Sequence, residues 1–237
     1  MNRKLLLFSN STNAGEDYMA YTLPHISSFL GGTTKKALFI PFAGFSLGFD
    51  SYYTLVKDRL EKISVKINPL HTLKDKKKAI QDAEIIIVGG GNTFYLLKSL
   101  QDADLLHEVS DAVKKGCLYI GWSAGANLAC PTICTTNDMP VVQPVNLNAL
   151  ALIPFQINPH FTDFHPPGHA GETRETRLNE YILVNRNTYV AGLREGTLFR
   201  VADDQINLAG NKPCRIFHYG NEPFEAEPGE NMNFLMQ

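Results

Sequence analysis

The sequence predicts an α/β fold, a mainly parallel sheet sandwiched by helices with antiparallel hairpins towards the C-terminus. Three observations predict it. Through the first two-thirds of the chain, short and almost uninterrupted apolar runs alternate with amphipathic stretches, as strands buried on both faces alternate with the helices that cover them. Two of those runs end in small-residue segments, Gly89-Gly90-Gly91-Asn92 and Gly121-Trp122-Ser123-Ala124-Gly125, and loops after parallel strands share the sheet's carboxyl edge, where ligands bind. From Thr197 to Tyr219 the runs shorten and are parted by Asp203-Asp204 and Gly210-Asn211, a hairpin pattern.

Taken in order, Lys4–Ser9 reads as a first strand, and residues 18–30 as a helical stretch stopped by Gly31-Gly32, its first half weakened by Pro24. A second strand spans 36–40. Asp50 is the expected N-cap of a helix through Lys62, with Tyr53, Leu55, Val56 and Leu60 as its apolar side. A brief strand at 65–67 and a charged helix at 75–82 follow, then a strand at 84–88 and helices at 93–100 and 104–115. The strand 118–121 delivers Ser123. Residues 131–154 are polar and loop-rich. A short strand at 155–157 leads to His160, 164–171 reads as a long loop, 172–185 as a helix and 188–193 as a strand that ends before Glu195. With no repeat or linker, residues 1–237 form one expected domain.

Hydrophobic residues make up 44% and charged ones 19%, so the chain can build a core and is not compositionally disordered. A net charge of -2 gives no electrostatic reason to expect nucleic acid or an anionic membrane as partner. No run approaches the roughly 18 apolar residues of a membrane span. The start is basic and then apolar, but the apolar run is too short for a secretory signal, which needs about 7–15 residues. The four cysteines, Cys117, Cys130, Cys134 and Cys214, form no Cys-x-x-Cys pair and read as reduced thiols, so the expected location is the cytoplasm.

Gly121-x-Ser123-x-Gly125 after an apolar strand is the sequence context of a nucleophile elbow, in which small neighbours allow a cramped strand-to-helix turn. A helix starting at Ala124 would aim its free amides at the serine oxygen. The same pattern also fits a glycine-rich turn with a capping serine. A serine hydroxyl needs a base, and the base needs an orienting group. Of seven histidines, His160 directly follows a predicted strand and reaches the edge that holds Ser123. His25, His71 and His107 lie in or beside surface helices. His165 and His169 follow His160 at a spacing that loosely suggests zinc, but a Pro-Pro-Gly segment is a poor scaffold for ligands. Glu195 follows the strand 188–193 and can hold the imidazole, though Glu-Gly also suits an ordinary turn. The order Ser…His…acid departs from the Ser…acid…His of α/β-hydrolases and implies a convergent triad on a different parallel-sheet fold.

With these residues assembled, the chain resembles the peptidase E family of serine α-aspartyl dipeptidases. The resemblance rests on Gly89–Phe94, Gly121–Asn127, Thr135–Pro140, Gln156–Phe161, Gly171–Glu175 and Gly192–Gly196, in that order over most of the chain. It implies a class I glutamine amidotransferase-like, flavodoxin-like fold and catalytic positions at Ser123, His160 and Glu195. The oxyanion donors expected in such a site are the amides of Ala124 and of the triple-glycine loop, Gly91 foremost. An N-terminal aspartate needs a cation for its side chain. The resemblance puts Arg174 there. Asn92 is a candidate for a further hydrogen bond, and Asp138 and Glu172 are candidates to meet the substrate ammonium. Asp138 equally suits a loop residue bonding its own backbone.

The expected substrate is therefore a small Asp-Xaa peptide, cleaved without metal or organic cofactor, and a homodimer is left open. Two rivals remain. A cyanophycinase-like peptidase would keep the triad and change the pocket, whereas a non-catalytic sensor of amidotransferase-like fold would not react with a serine probe. A glutamine amidotransferase is disfavoured because the nucleophile position holds serine. The triple-glycine loop lacks the following Lys of a phosphate loop.

Overall fold

The computed structural model describes residues 3–31, 35–168 and 170–237. Its main sheet has seven strands in the order β3-β2-β4-β5-β1-β8-β9. The strands β1 (Lys4–Phe8), β2 (Lys35–Ile40), β3 (Val65–Pro69), β4 (Ile85–Val88) and β5 (Leu118–Trp122) are parallel, and β8 (Thr197–Ala202) and β9 (Gln205–Gly210) form a hairpin added antiparallel to β1. The apolar runs are strands because both faces are covered. Leu5, Leu7, Ile86 and Val88 join one core cluster, while Leu6, Phe8, Ile85 and Ile87 join another across the sheet. Burying each such side chain contributes about 1.5–3 kcal/mol.

The helices fill the intervals between strands. α1 (Thr22–Phe29) starts later than the pattern suggested, and Pro24 falls in its first turn, where a missing amide costs no helical bond. α2 (Phe49–Leu60) departs from expectation in two ways. Its N-cap is Gly48 at φ 84°, while Asp50 sits inside the first turn and lies 2.8 Å from His71 Nε2. Its buried stripe is Tyr52, Val56 and Leu60, spaced i, i+4, i+8. α3 (Lys76–Gln81) is capped by Asp75, which accepts from Lys78 N. α4 (Thr93–Asp102) and α5 (Leu106–Lys114) lie between β4 and β5, and α6 (Ala124–Asn127) follows β5.

A second sheet, in the order β11-β10-β7-β6, contains β6 (Gln156–Phe161), β7 (Val190–Arg194), β10 (Cys214–Phe217) and β11 (Phe224–Ala226). Only β6 and β7 are parallel in it. The strands carrying His160 and preceding Glu195 thus belong to a different sheet from the strand preceding Ser123. β10 pairs with β7 and β11 instead of closing a hairpin with β9. Ile157, Ala191, Leu193 and Ile216 of the second sheet join the core cluster that contains Leu5 and Leu7. Its other cluster packs Phe161, Val190 and Phe217 against Leu178 and Ile182 of α7 (Arg174–Val184). Among the described residues no helix is long and apolar enough to cross a membrane.

Candidate active site

Ser123 occupies the turn between β5 and α6 with φ 52° and ψ -113°, a conformation that a side chain adopts only under constraint. The constraint comes from both sides. Ser123 N–H donates to Phe8 O at 3.1 Å, and its carbonyl accepts from Ala126 and Asn127 N–H. The flanking glycines are required by closeness: a Cβ on Gly121 would lie 2.4 Å from Gly125 O, and one on Gly125 would lie 2.2 Å from Val88 O. α6 is only four residues long, so little macrodipole builds up and the local amides are what it offers.

His160 lies within β6, not beyond it, at an irregularity between Pro159 and Phe161 where its φ is 53°. The bulge turns the imidazole out of the alternation of the strand. His160 Nε2 is 2.8 Å from Ser123 Oγ, and His160 Nδ1 is 2.7 Å from Glu195 Oε1. With the carboxylate ionised, Nδ1 carries the proton and donates to Glu195, leaving Nε2 to accept from the serine hydroxyl. Both partners of the His160–Glu195 pair are part-exposed, so the pair's value lies in orienting the ring rather than in Coulomb energy. Chemically this is a hydroxyl beside a base that is held by an acid.

A cleft of about 390 Å³ opens over Ser123, lined among others by Gly90, Gly91, Tyr18, Trp122 and His160, a size suited to a small ligand. The amides of Gly91 and Ala124 face no acceptor among the described residues, whereas Gly89 N–H is committed to Ile40 O and Asn92 N–H to Ala43 O. A second depression of about 510 Å³, lined by Phe164, Arg194, Glu195 and Lys212, adjoins the other side of His160.

Of the residues expected at the substrate, Asn92, Asp138 and Arg174 are not among those lining the cleft over Ser123. Asn92 caps α4 by accepting from Tyr95 N–H at 3.0 Å and donates from Nδ2 to Met139 O at 2.8 Å. Asp138 Oδ2 accepts from Thr93 N–H at 2.8 Å and from the Thr93 hydroxyl at 2.6 Å, so it too holds the start of α4. Neither lines the cleft. Arg174 opens α7, half-buried, and is likewise absent from the cleft wall. Its Nη1 is enclosed without a hydrogen-bond partner, and burial, reinforced by Arg177, pushes its pKa down. Glu172 lies 3.8 Å from Arg177. Of the histidines considered for zinc, His165 hydrogen-bonds Gly171 O and His169 lies outside the described residues.

The sequence matches Peptidase family S51 over residues 5–209. The chain belongs to peptidase family S51. It is a serine peptidase. It is 44% identical to Peptidase E of Nostoc sp. over 237 residues, covering 100% of this chain and 98% of that protein. It is 48% identical to Peptidase E of Salmonella typhimurium over 226 residues, covering 95% and 98%. Among solved structures, a putative peptidase E from Listeria monocytogenes superposes with a TM-score of 0.67 at 22% identity, covering 89% of this chain and 99% of that one. A peptidase from an acI-B1 Actinobacterium gives 0.70 at 17% identity, covering 98% and 97%. These two establish the shared fold.

Several residues around this S51 site carry no sequence signal of their own. Trp122 Nε1 donates to the Tyr52 hydroxyl at 3.0 Å, and the Tyr52 ring lies where a Cβ on Gly44 or Gly89 would fall. Tyr52 is fully buried, which pushes its phenol pKa well up and keeps it neutral. The i, i+4 stripe of α2 could have located it as core, but not as the support of the glycine loop. Ser9 and Asn10 look like the ordinary end of a strand.

Proposed function

We propose that this peptidase hydrolyses dipeptides with an N-terminal aspartate through a Ser123–His160–Glu195 triad. The observation that carries the reading is the unbroken contact series from Ser123 Oγ through the imidazole to Glu195. Ser123 Oγ attacks the scissile carbonyl carbon while His160 Nε2 takes its proton. The oxyanion of the tetrahedral intermediate accepts from the amides of Gly91 and Ala124. Collapse breaks the C–N bond, and the imidazolium gives its proton to the leaving amine. Water, deprotonated by His160, then attacks the acyl-enzyme ester and releases aspartate and Ser123. Glu195 keeps Nδ1 protonated and stabilises the imidazolium in both halves.

The preference for aspartate draws on the resemblance in Gly171–Glu175 and on Arg174, a guanidinium with an enclosed, unpartnered Nη1. Turned towards the cleft, its planar fork would grip both oxygens of a substrate carboxylate. Asn92 and Asp138 act on the substrate indirectly in this reading, by fixing the loop around Met139 against α4. The expected partner is a small peptide, not nucleic acid or membrane, acting without a cofactor in the cytoplasm.

A panel of Asp-Leu, Glu-Leu, Asn-Leu, isoaspartyl-Leu and N-acetyl-Asp-Leu tests the specificity. Cleavage of Asp-Leu alone is the predicted result. Preferred cleavage of the isoaspartyl peptide would favour the cyanophycinase-like alternative. Arg174→Ala should lower kcat/KM on Asp-Leu far more than on any residual substrate, and an equal loss on every peptide would end the carboxylate-recognition role.

A further inference from the structure

Resting on the triad reading, we infer that Ser9 and Asn10, at the end of β1, are positioning residues that hold the base and the acid in register with the nucleophile. The need for such a device follows from the fold. Ser123 directly follows β5 of the main sheet, whereas His160 lies in β6 and Glu195 directly follows β7 of the second sheet. A contact of 2.8 Å between groups on two separate sheets requires something that touches both.

Three consecutive residues do. Phe8 O accepts from Ser123 N–H at 3.1 Å. The Ser9 hydroxyl accepts from His160 N–H at 2.9 Å and donates to Leu193 O at 2.7 Å, and Ser9 N–H donates to Thr197 O at 3.0 Å. Asn10 Oδ1 accepts from Gly196 N–H at 2.9 Å and from the Tyr21 hydroxyl. Its own Nδ2 is fixed on Thr12 O at 2.8 Å and Asn13 Oδ1 at 3.1 Å, so the amide cannot swap its ends without losing the bonds to Gly196 N–H and Thr12 O.

The consequences differ for the two residues. Ser9 is fully buried and uses its single proton and an acceptor position at the same time, so it ties the His160 bulge to the end of β7. Asn10 and Ser9 together grip the Glu195–Gly196 turn from Leu193, Gly196 and Thr197, which is where the chain passes from the second sheet to the main one. Neither side chain is needed as a proton carrier. Their effect passes through the geometry of His160 and Glu195.

The test is kinetic. Ser9→Ala and Asn10→Ala should each lower kcat on Asp-Leu by about 10²-fold, the scale of a roughly 1 Å misplacement, with KM little changed. Ser9→Thr, which keeps the hydroxyl, should retain more activity than Ser9→Ala. In a His160→Ala background, Ser9→Ala should cause no further loss, because a residue that acts through the base has nothing left to position. Wild-type kcat in both alanine variants, or a Ser9→Ala loss that persists undiminished without His160, would overturn the inference. If Ser9→Ala lacks a cooperative melt, Asn10→Ala decides by the same criteria. Ser123→Ala, run alongside, separates the two levels. Retained turnover there sinks the triad reading itself, whereas abolished turnover with unaffected Ser9 and Asn10 variants sinks only the positioning role.

Discussion

Replacing Gly91 by alanine probes the oxyanion side of the site at an atom whose surroundings are closely defined. Gly91 has φ 136°, and a Cβ built there lies 2.1 Å from Ala43 O and 2.5 Å from Ala43 C. An ordinary C···O contact is about 3.3–3.6 Å, so the two segments must part by about 1 Å. They are tied at that point by Asn92 N–H donating to Ala43 O at 2.9 Å, and parting them strains or breaks that bond. The strained backbone costs about 1–3 kcal/mol and the overpacking a similar amount. At this chain length each kcal/mol lowers Tm by about 2–4 °C. Displacing the Gly91 amide removes one oxyanion donor, for which about 10²–10³ in kcat is expected. Steady-state turnover of Asp-Leu and a thermal melt measure the two effects separately. Gly220→Ala is the control, because Gly220 also has positive φ, 83°, but nothing lies within 4 Å of the new Cβ. It should cost a little stability and leave kcat alone. A Gly91→Ala enzyme with wild-type melt and wild-type kcat would refute both the crowding and the donor role.

Two further outcomes follow from the packing. Asp138→Ala removes the acceptor that holds Thr93 at the start of α4 and should lower unfolding free energy by about 1–2 kcal/mol, read from the urea midpoint; an unchanged midpoint would contradict the capping role. Burial pushes the thiols of Cys117 and Cys130 up to about 12 and Cys214 in the same direction, while Cys134 is exposed. A neutral-pH thiol reagent should therefore label Cys134 alone in the native protein and all four cysteines after denaturation, and fast native labelling of Cys130 would show that the core around it opens.

The parallel core was legible because its strands are buried on both faces, so nearly every residue of 85–88 or 118–122 is apolar and the runs stand out. The elbow was legible for a related reason. Gly121 and Gly125 are dictated by backbone contacts a side chain would block, and such positions leave a mark in the sequence. The cap of α2 was misread because Gly48 at positive φ supplies the helix entry, and the acidic residue two positions later pairs with His71 instead. The division into two sheets was hidden because a strand's residues report how it is buried, not which sheet it joins. Expecting His160 and Glu195 at strand ends placed them near the right edge, yet the bulge at His160 that turns the ring inward leaves no pattern in Asn158-Pro159-His160-Phe161. Ser9 and Asn10 are polar residues after a strand, and only their partners some 150 to 190 positions away distinguish them.

The central claim is that Ser123 Oγ attacks the substrate with His160 as its base. It is tested most directly by incubating the wild type, Ser123→Ala and His160→Ala with a fluorophosphonate probe and weighing the intact proteins, with Asp-Leu turnover measured in parallel. One adduct on the wild type, mapped to Ser123, with none on Ser123→Ala, strongly slowed labelling of His160→Ala and turnover lost in both variants, is the predicted result. An adduct on another residue, or near-normal turnover by Ser123→Ala, would contradict it.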